Sequence, residues 1–122
     1  MPDARKQRVL IVDDQLPIAR TLARMLGRYA ETVAVGSGMD ALDVLARGER
    51  FDLVLSDVMM PGMTGTQLFE RAQALDPAIA SVFVFMTGGA VGEERERMVA
   101  TGARHLSKPV GLEELRALLG LR

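Results

Sequence analysis

The chain has 122 residues, of which 48% are apolar and 25% charged, and a formal net charge of -1. That suits one compact domain with a sizeable core, excludes a disordered chain, and gives no electrostatic footprint for nucleic acid. With no cysteine and a single histidine, a disulfide framework, a thiolate metal site and a multi-histidine metal centre are all excluded.

No apolar run approaches the ~20 residues needed to span a bilayer. The opening MPDARKQR is charged and lacks the apolar stretch of a signal peptide. A soluble cytoplasmic protein, or a soluble piece of a larger one, is expected. There is no internal repeat, low-complexity tract or long linker, so residues 1–122 are expected to form one domain with its core at about 8–120.

Apolar runs rich in β-branched residues alternate with segments of helical period. Val9-Leu10-Ile11-Val12 is a short continuous apolar run, as expected of a strand buried on both faces. Ile18, Leu22, Met25 and Leu26 then form a helical stripe. Thr32-Val33-Ala34-Val35 reads as a second strand, followed by a helix marked by Met39, Ala41, Leu42 and Leu45 and closed by Gly48. Leu53-Val54-Leu55 is the third strand; Leu68, Ala72 and Leu75 mark the third helix, with Pro77 just beyond its end. Val82-Phe83-Val84-Phe85-Met86 is the strongest strand signal. Residues 91–100 carry the charged run Glu93, Glu94, Arg95, Glu96 and Arg97, read as a solvated helix face that stops at Gly102. A weak fifth strand at residues 103–106 precedes a last helix bearing Leu112, Leu115, Leu118 and Leu119. Such alternation implies right-handed crossovers and a parallel sheet covered on both faces.

In a sheet of this kind the loops at the carboxyl ends of the strands carry the site. Asp13 and Asp14 follow the first strand, and Ser56 and Asp57 the third. Thr87, Gly88 and Gly89 follow the fourth, and Lys108 and Pro109 the fifth. Each has an ordinary explanation: Asp13 and Asp14 as helix caps, Asp57 as turn chemistry, Thr87-Gly88-Gly89 as a loop, Lys108 as a solvated lysine. Together, on four strand ends, they bring carboxylates, a hydroxyl and an ammonium to one edge. Three adjacent carboxylates repel unless protonated or bound to a cation. Oxygen ligands without sulfur favour a hard ion such as Mg²⁺. A carboxylate beside such an ion can attack phosphorus, with Thr87, Lys108 and the glycine amides as donors to the transferred group.

The stretches Val9-Leu10-Ile11-Val12-Asp13-Asp14, Asp57-Val58-Met59-Met60-Pro61-Gly62-Met63, Met86-Thr87-Gly88 and Lys108-Pro109 resemble the receiver domain of two-component response regulators, over almost the whole chain. The resemblance implies a flavodoxin-like three-layer α/β/α fold of five parallel strands in the order 2-1-3-4-5, with five helices. It implies Asp57 as the phosphoacceptor, with Mg²⁺ (or Mn²⁺) held by Asp13, Asp14, Asp57 and the Met59 carbonyl. Thr87 would follow the phosphoryl group and Lys108 would pair with it. A cis bond before Pro109 would help to aim Lys108. The expected partners are a histidine kinase or histidine phosphotransfer protein and an output domain or downstream protein, the latter through the fourth helix and fifth strand. No direct nucleic-acid binding, no membrane span and no outside substrate are expected. Either a stand-alone regulator or the receiver of a hybrid sensor kinase would fit.

One position departs from the family pattern. The aromatic residue usual three positions before the lysine is here His105, read either as an edge-strand surface residue or as a switch that turns toward Thr87. Met59 and Gly89, two residues after the aspartate and the threonine, would flank the approach of a hydrolytic water. Other readings fit less well. Aspartate-nucleophile hydrolases resembling the haloacid dehalogenases carry Asp-x-Asp after their first strand, whereas Asp13-Asp14-Gln15 lacks that spacing. A pseudo-receiver would have lost part of the acidic, threonine and lysine set. A flavin-binding protein would show a phosphate-cradling loop after the first strand.

Overall fold

A computed structural model of the chain describes residues 7–121, so both ends of the expected domain lie outside the described residues. The elements run β1 (Gln7–Val12), α1 (Leu16–Leu26), β2 (Ala30–Val35), α2 (Gly38–Ala46), β3 (Leu53–Asp57), α3 (Gly65–Leu75), a 3₁₀ turn (Pro77–Ser81), β4 (Phe83–Thr87), α4 (Gly92–Ala100), β5 (Arg104–Ser107) and α5 (Leu112–Leu118). The five strands form one sheet in the order β2-β1-β3-β4-β5, every neighbouring pair parallel. This is the doubly wound, flavodoxin-like fold.

Alternation along the strands divides the core into two. Leu10, Val12, Val54, Phe83 and Phe85 face one side and pack with Ala41, Leu68, Phe69, Ala72 and Met98 from α2, α3 and α4. Val9, Ile11, Leu53, Leu55, Val84 and Met86 face the other and pack with Ala19, Leu22, Leu26 and Leu115 from α1 and α5. On the first side Phe69 meets Phe83 edge-on at 5.2 Å and Phe83 meets Phe85 at 5.0 Å. Such pairs add about 0.5–1.5 kcal/mol each to the burial of the rings.

The helical stripes differ in detail from those read in the sequence. Ala19, not Ile18, is the buried residue at the start of α1; Ile18 is exposed. Met39 and Leu75 are also exposed, and Val44 takes the buried place in α2. The Asp-Pro step after α3 starts a 3₁₀ turn, in which Asp76 Oδ1 accepts from the Ala78 amide. Aspartate followed by proline is suited to that role, because the ring presets φ and the carboxylate satisfies a free amide.

Candidate functional site

The carboxyl ends of β1, β3, β4 and β5 meet at one edge. Asp57 is the last residue of β3 rather than the first of its loop, and Thr87 the last of β4, in a ladder where Asp57 pairs with Met86 and Thr87 with Ser107. Asp13 follows β1, and its amide donates to the Val35 carbonyl. Carboxylate oxygens of Asp13, Asp14 and Asp57 lie within 4.8 Å of one another. Asp13 is fully buried, Asp57 is nearly so, and Asp14 faces solvent.

Each carboxylate has distinct partners. Asp13 Oδ1 accepts from the Gln15 amide at 2.9 Å, so it helps to turn the chain into α1, although the N-cap position belongs to Gln15. Asp57 Oδ1 accepts from the Val58 amide at 2.8 Å. Lys108 Nζ lies 2.9 Å from Asp13 Oδ2 and 3.2 Å from Asp57 Oδ2. The Lys108 amide continues the ladder to the Thr87 carbonyl, the Lys108-Pro109 bond is cis, and the lysine stem passes over Gly88. Burial pushes the Asp57 carboxyl above its ordinary 3.8, and the charge on Asp13 adds to this, against the pull of Lys108 and the Val58 amide. Burial works to lower Lys108, but Asp13 and Asp57 outweigh it and hold the ammonium above its ordinary 10.5.

The other expected residues are placed less centrally. Thr87 Oγ1 accepts from the amides of Ala90 at 3.0 Å and Gly89 at 3.3 Å, closing its own loop. His105 is exposed on edge strand β5, in register with Phe85. The Met59 side chain is exposed beside the acids, and a Cβ added at Gly89 would meet nothing within 4 Å.

Two contacts lie under Asp57, one from Ser56, named above as its neighbour on the strand, and one from Gly65, which was not among the expected residues. The buried Ser56 hydroxyl donates to the Asp57 carbonyl, and Gly65 packs so close that a Cβ there would overlap the same oxygen. The glycine at the start of an otherwise ordinary helix was the available signal. A groove of about 1110 Å³ lined by Arg8, Phe51, Leu75 and Ile79 lies away from the acidic cluster and shares no residue with it. Chemistry, not volume, therefore locates the site.

The arrangement is a set of hard oxygen donors with one balancing ammonium, able to hold a cation and to present a carboxylate oxygen to an electrophile. No helix among the described residues is long and apolar enough to cross a membrane.

Known proteins with this pattern agree on its class. The profile described as response regulator receiver domain matches residues 9–120. Sensor histidine kinase RcsC of Salmonella typhi is 38% identical over 93% of the chain, which spans 12% of that protein. Response regulator protein FleR of Pseudomonas aeruginosa is 42% identical over 93% of the chain and 23% of its own length. Sporulation initiation phosphotransferase F of Bacillus subtilis is 32% identical over 90% of the chain and 88% of its own length. Among solved structures, the CheY-like receiver domain protein of Methanospirillum hungatei superposes with a TM-score of 0.83 at 29% identity, over 94% of this chain and 91% of that one. The chain belongs to the response regulator receiver domain family of two-component signal transduction.

Proposed function

We propose that the chain accepts a phosphoryl group on Asp57 and passes the event on as a change of shape. The observation that carries this reading is the Lys108 ammonium shared between Asp13 Oδ2 and Asp57 Oδ2 in a family of phosphorelay receivers. An Asp57 oxygen attacks phosphorus, an O–P bond forms, and the bond from phosphorus to the donor's leaving atom breaks, that atom keeping the electron pair. Lys108 is placed to follow the charge from the carboxylate to the new phosphoryl oxygens. The Thr87 hydroxyl can donate to one of those oxygens while still accepting from its own loop.

Asp13, Asp14 and Asp57, with the Met59 carbonyl, would hold Mg²⁺ or Mn²⁺. The donor set fits such an ion: carboxylate oxygens within 4.8 Å of one another and neither sulfur nor imidazole. The ion would offset the negative charge gathered during transfer.

The donor in this reading is a histidine kinase or histidine phosphotransfer protein, and the domain acts on itself rather than on an outside substrate. An output domain or downstream protein meets it at α4 and β5. The receiver core runs over about residues 8–120 and works in the cytoplasm, and His105 has a surface role on edge strand β5. Incubation with acetyl phosphate and Mg²⁺ tests the core of this. One base-labile phosphoryl group per chain is expected, lost with a chelator and absent in Asp57→Asn. Uptake by Asp57→Asn equal to wild type would refute it.

A further inference from the structure

Helix α4 is attached to the body of the protein by few groups. Of its nine residues only Met98 is buried, in the C-terminal half, while Val99 and the preceding Val91 are exposed. Its connection to Thr87 runs through Gly88, Gly89 and Gly92, and Gly89 and Gly92 have φ of 128° and 61°. Such a joint bends readily, because glycine occupies these conformations without steric cost. Ala90 is buried just before the helix, but within the N-terminal half of α4 itself the least exposed residue is Glu94.

That half carries the run Glu93, Glu94, Arg95, Glu96, Arg97, and its members are not equivalent. The Glu93 side chain is 83% exposed, that of Glu94 only 15%. Glu94 Oε1 accepts from Arg97 Nη1 at 3.0 Å, and Oε2 lies 3.4 Å from Thr66 Oγ1 on α3. Thr66 is itself buried, at 3% exposure, so its hydroxyl needs a partner within the protein. Its other neighbour is Thr64 Oγ1 at 3.1 Å, which accepts from the Gln67 amide as the N-cap of α3. With the Thr66 proton directed at the carboxylate, Thr64 supplies the proton of the remaining bond. A directed chain thus runs from the cap of α3 to Glu94 on α4. Both ends start at the acidic site: α3 begins at Gly65, pressed on the Asp57 carbonyl, and α4 follows the Thr87 loop.

We infer that the Thr66 hydroxyl and the Glu94 carboxylate form a latch holding the N-terminal half of α4 against α3, released when Thr87 is drawn toward a phosphoryl group on Asp57. The release half rests on the function proposed above; the latch itself does not. A pull on Thr87 reaches α4 through Ala90, whose amide donates to Thr87 Oγ1 at 3.0 Å just ahead of the helix, and the longest bond of the latch, at 3.4 Å, is the one that crosses between the helices. Its loss leaves Glu94 with Arg97 and free to rotate into water, so the open state is not penalised by an abandoned buried charge.

Native-state hydrogen exchange by NMR tests this in the full chain, with Thr66→Val, Thr66→Ser and Glu94→Gln. In the unphosphorylated protein the α4 amides of residues 96–100 should exchange about fivefold faster in Thr66→Val, the scale of one ordinary hydrogen bond, because the 3.4 Å contact is long for a hydroxyl donor. Thr66→Ser, which keeps the hydroxyl, should stay near wild type. Glu94→Gln should accelerate the same amides, and it probes the latch from the other side should Thr66→Val fail to fold. Rates at residues 96–100 unchanged in every folded variant, or an equal acceleration in α1 and α5, would overturn the latch. Wild type treated with acetyl phosphate and Mg²⁺ should approach the exchange of Thr66→Val. If it takes up the phosphoryl group and α4 exchange does not change, the release half is wrong. If it takes up none, the function proposed for Asp57 fails while the unphosphorylated comparison still decides the latch.

Discussion

Lys108 and Asp57 reach toward each other over β4, Nζ to Oδ2 at 3.2 Å, and the same ammonium is 2.9 Å from Asp13. One lysine therefore occupies oxygens of two of the three carboxylates that would bind a cation. Removing it should have opposite effects on binding and on transfer. Lys108→Ala is expected to bind Mg²⁺ several-fold more tightly, because a competing positive charge is gone. It should take up a phosphoryl group at least about tenfold more slowly, because that charge no longer balances the transferred group. Titration with Mg²⁺ and timed uptake from acetyl phosphate measure the two effects. A parallel loss of both would mean that Lys108 only supports the fold of the site.

Among the described residues Asp14 differs from its neighbour in having no hydrogen bond to the start of α1; that contact belongs to Asp13. Asp14→Ala should accordingly leave the fold and α1 intact and lower Mg²⁺ affinity about tenfold or more, with a similar slowing of phosphorylation. Unchanged Mg²⁺ affinity with normal circular dichroism would remove Asp14 from the ligand set.

The carboxyl of Asp57 is raised above 3.8, burial being the first cause. A raised acid holds its proton more tightly folded than unfolded. Well below 3.8 the group is protonated in both states and costs nothing. As pH rises the unfolded chain ionises first, and stability is lost until the folded value is passed. In chelator, Asp57→Asn should therefore melt higher than wild type at neutral pH, with the difference shrinking as pH falls toward 3.8. A difference that grows on acidification would reverse the assignment of burial as the dominant cause. Lys108 carries the opposite sign: its raised value adds stability below 10.5 that fades as pH climbs past its folded value.

Much of this was legible before the structure, for physical reasons that differ from element to element. The run Val9-Leu10-Ile11-Val12 has no polar alternation because both faces of β1 are covered, and the structure buries all four side chains. The convergence of Asp13, Asp14, Asp57 and Lys108 was legible because a parallel sheet puts every strand's carboxyl end at one edge, so position in the chain already implied proximity. Less could be read where two packings satisfy the same period. Ile18 and Ala19 sit on adjacent positions of α1, and it is Ala19 that shares the buried face with Leu22 and Leu26. The charged run on α4 reads as solvated, and periodicity gives no means of seeing that Glu94 turns inward to meet a buried threonine. The closeness of Gly65 to Asp57 is equally a tertiary fact, set by how tightly residues 58–64 fold back.

The lifetime of the phosphorylated state should depend on Met59. Hydrolysis needs a water in line with the O–P bond. The open space at Gly89 leaves the approach free, while the exposed thioether at Met59 cannot hold a water in place. Positioning a nucleophile is worth several kcal/mol at best, whereas shielding by one mobile side chain amounts to about 1 kcal/mol or less. Met59→Asn, whose amide can hold the water, should dephosphorylate several-fold faster at fixed Mg²⁺ once the donor is removed. Equal or slower decay would show that this side chain does not control the water.

The central claim is that Asp57, among the clustered acids, carries the phosphoryl group. Its most direct test is to phosphorylate the chain with acetyl phosphate and Mg²⁺, reduce the acyl phosphate with borohydride, and locate the converted residue by peptide mass spectrometry. The account predicts that Asp57 alone is converted to homoserine, with Asp13 and Asp14 recovered unchanged. Conversion at Asp13 or Asp14 in place of Asp57, or at none of the three after stoichiometric uptake, would contradict it.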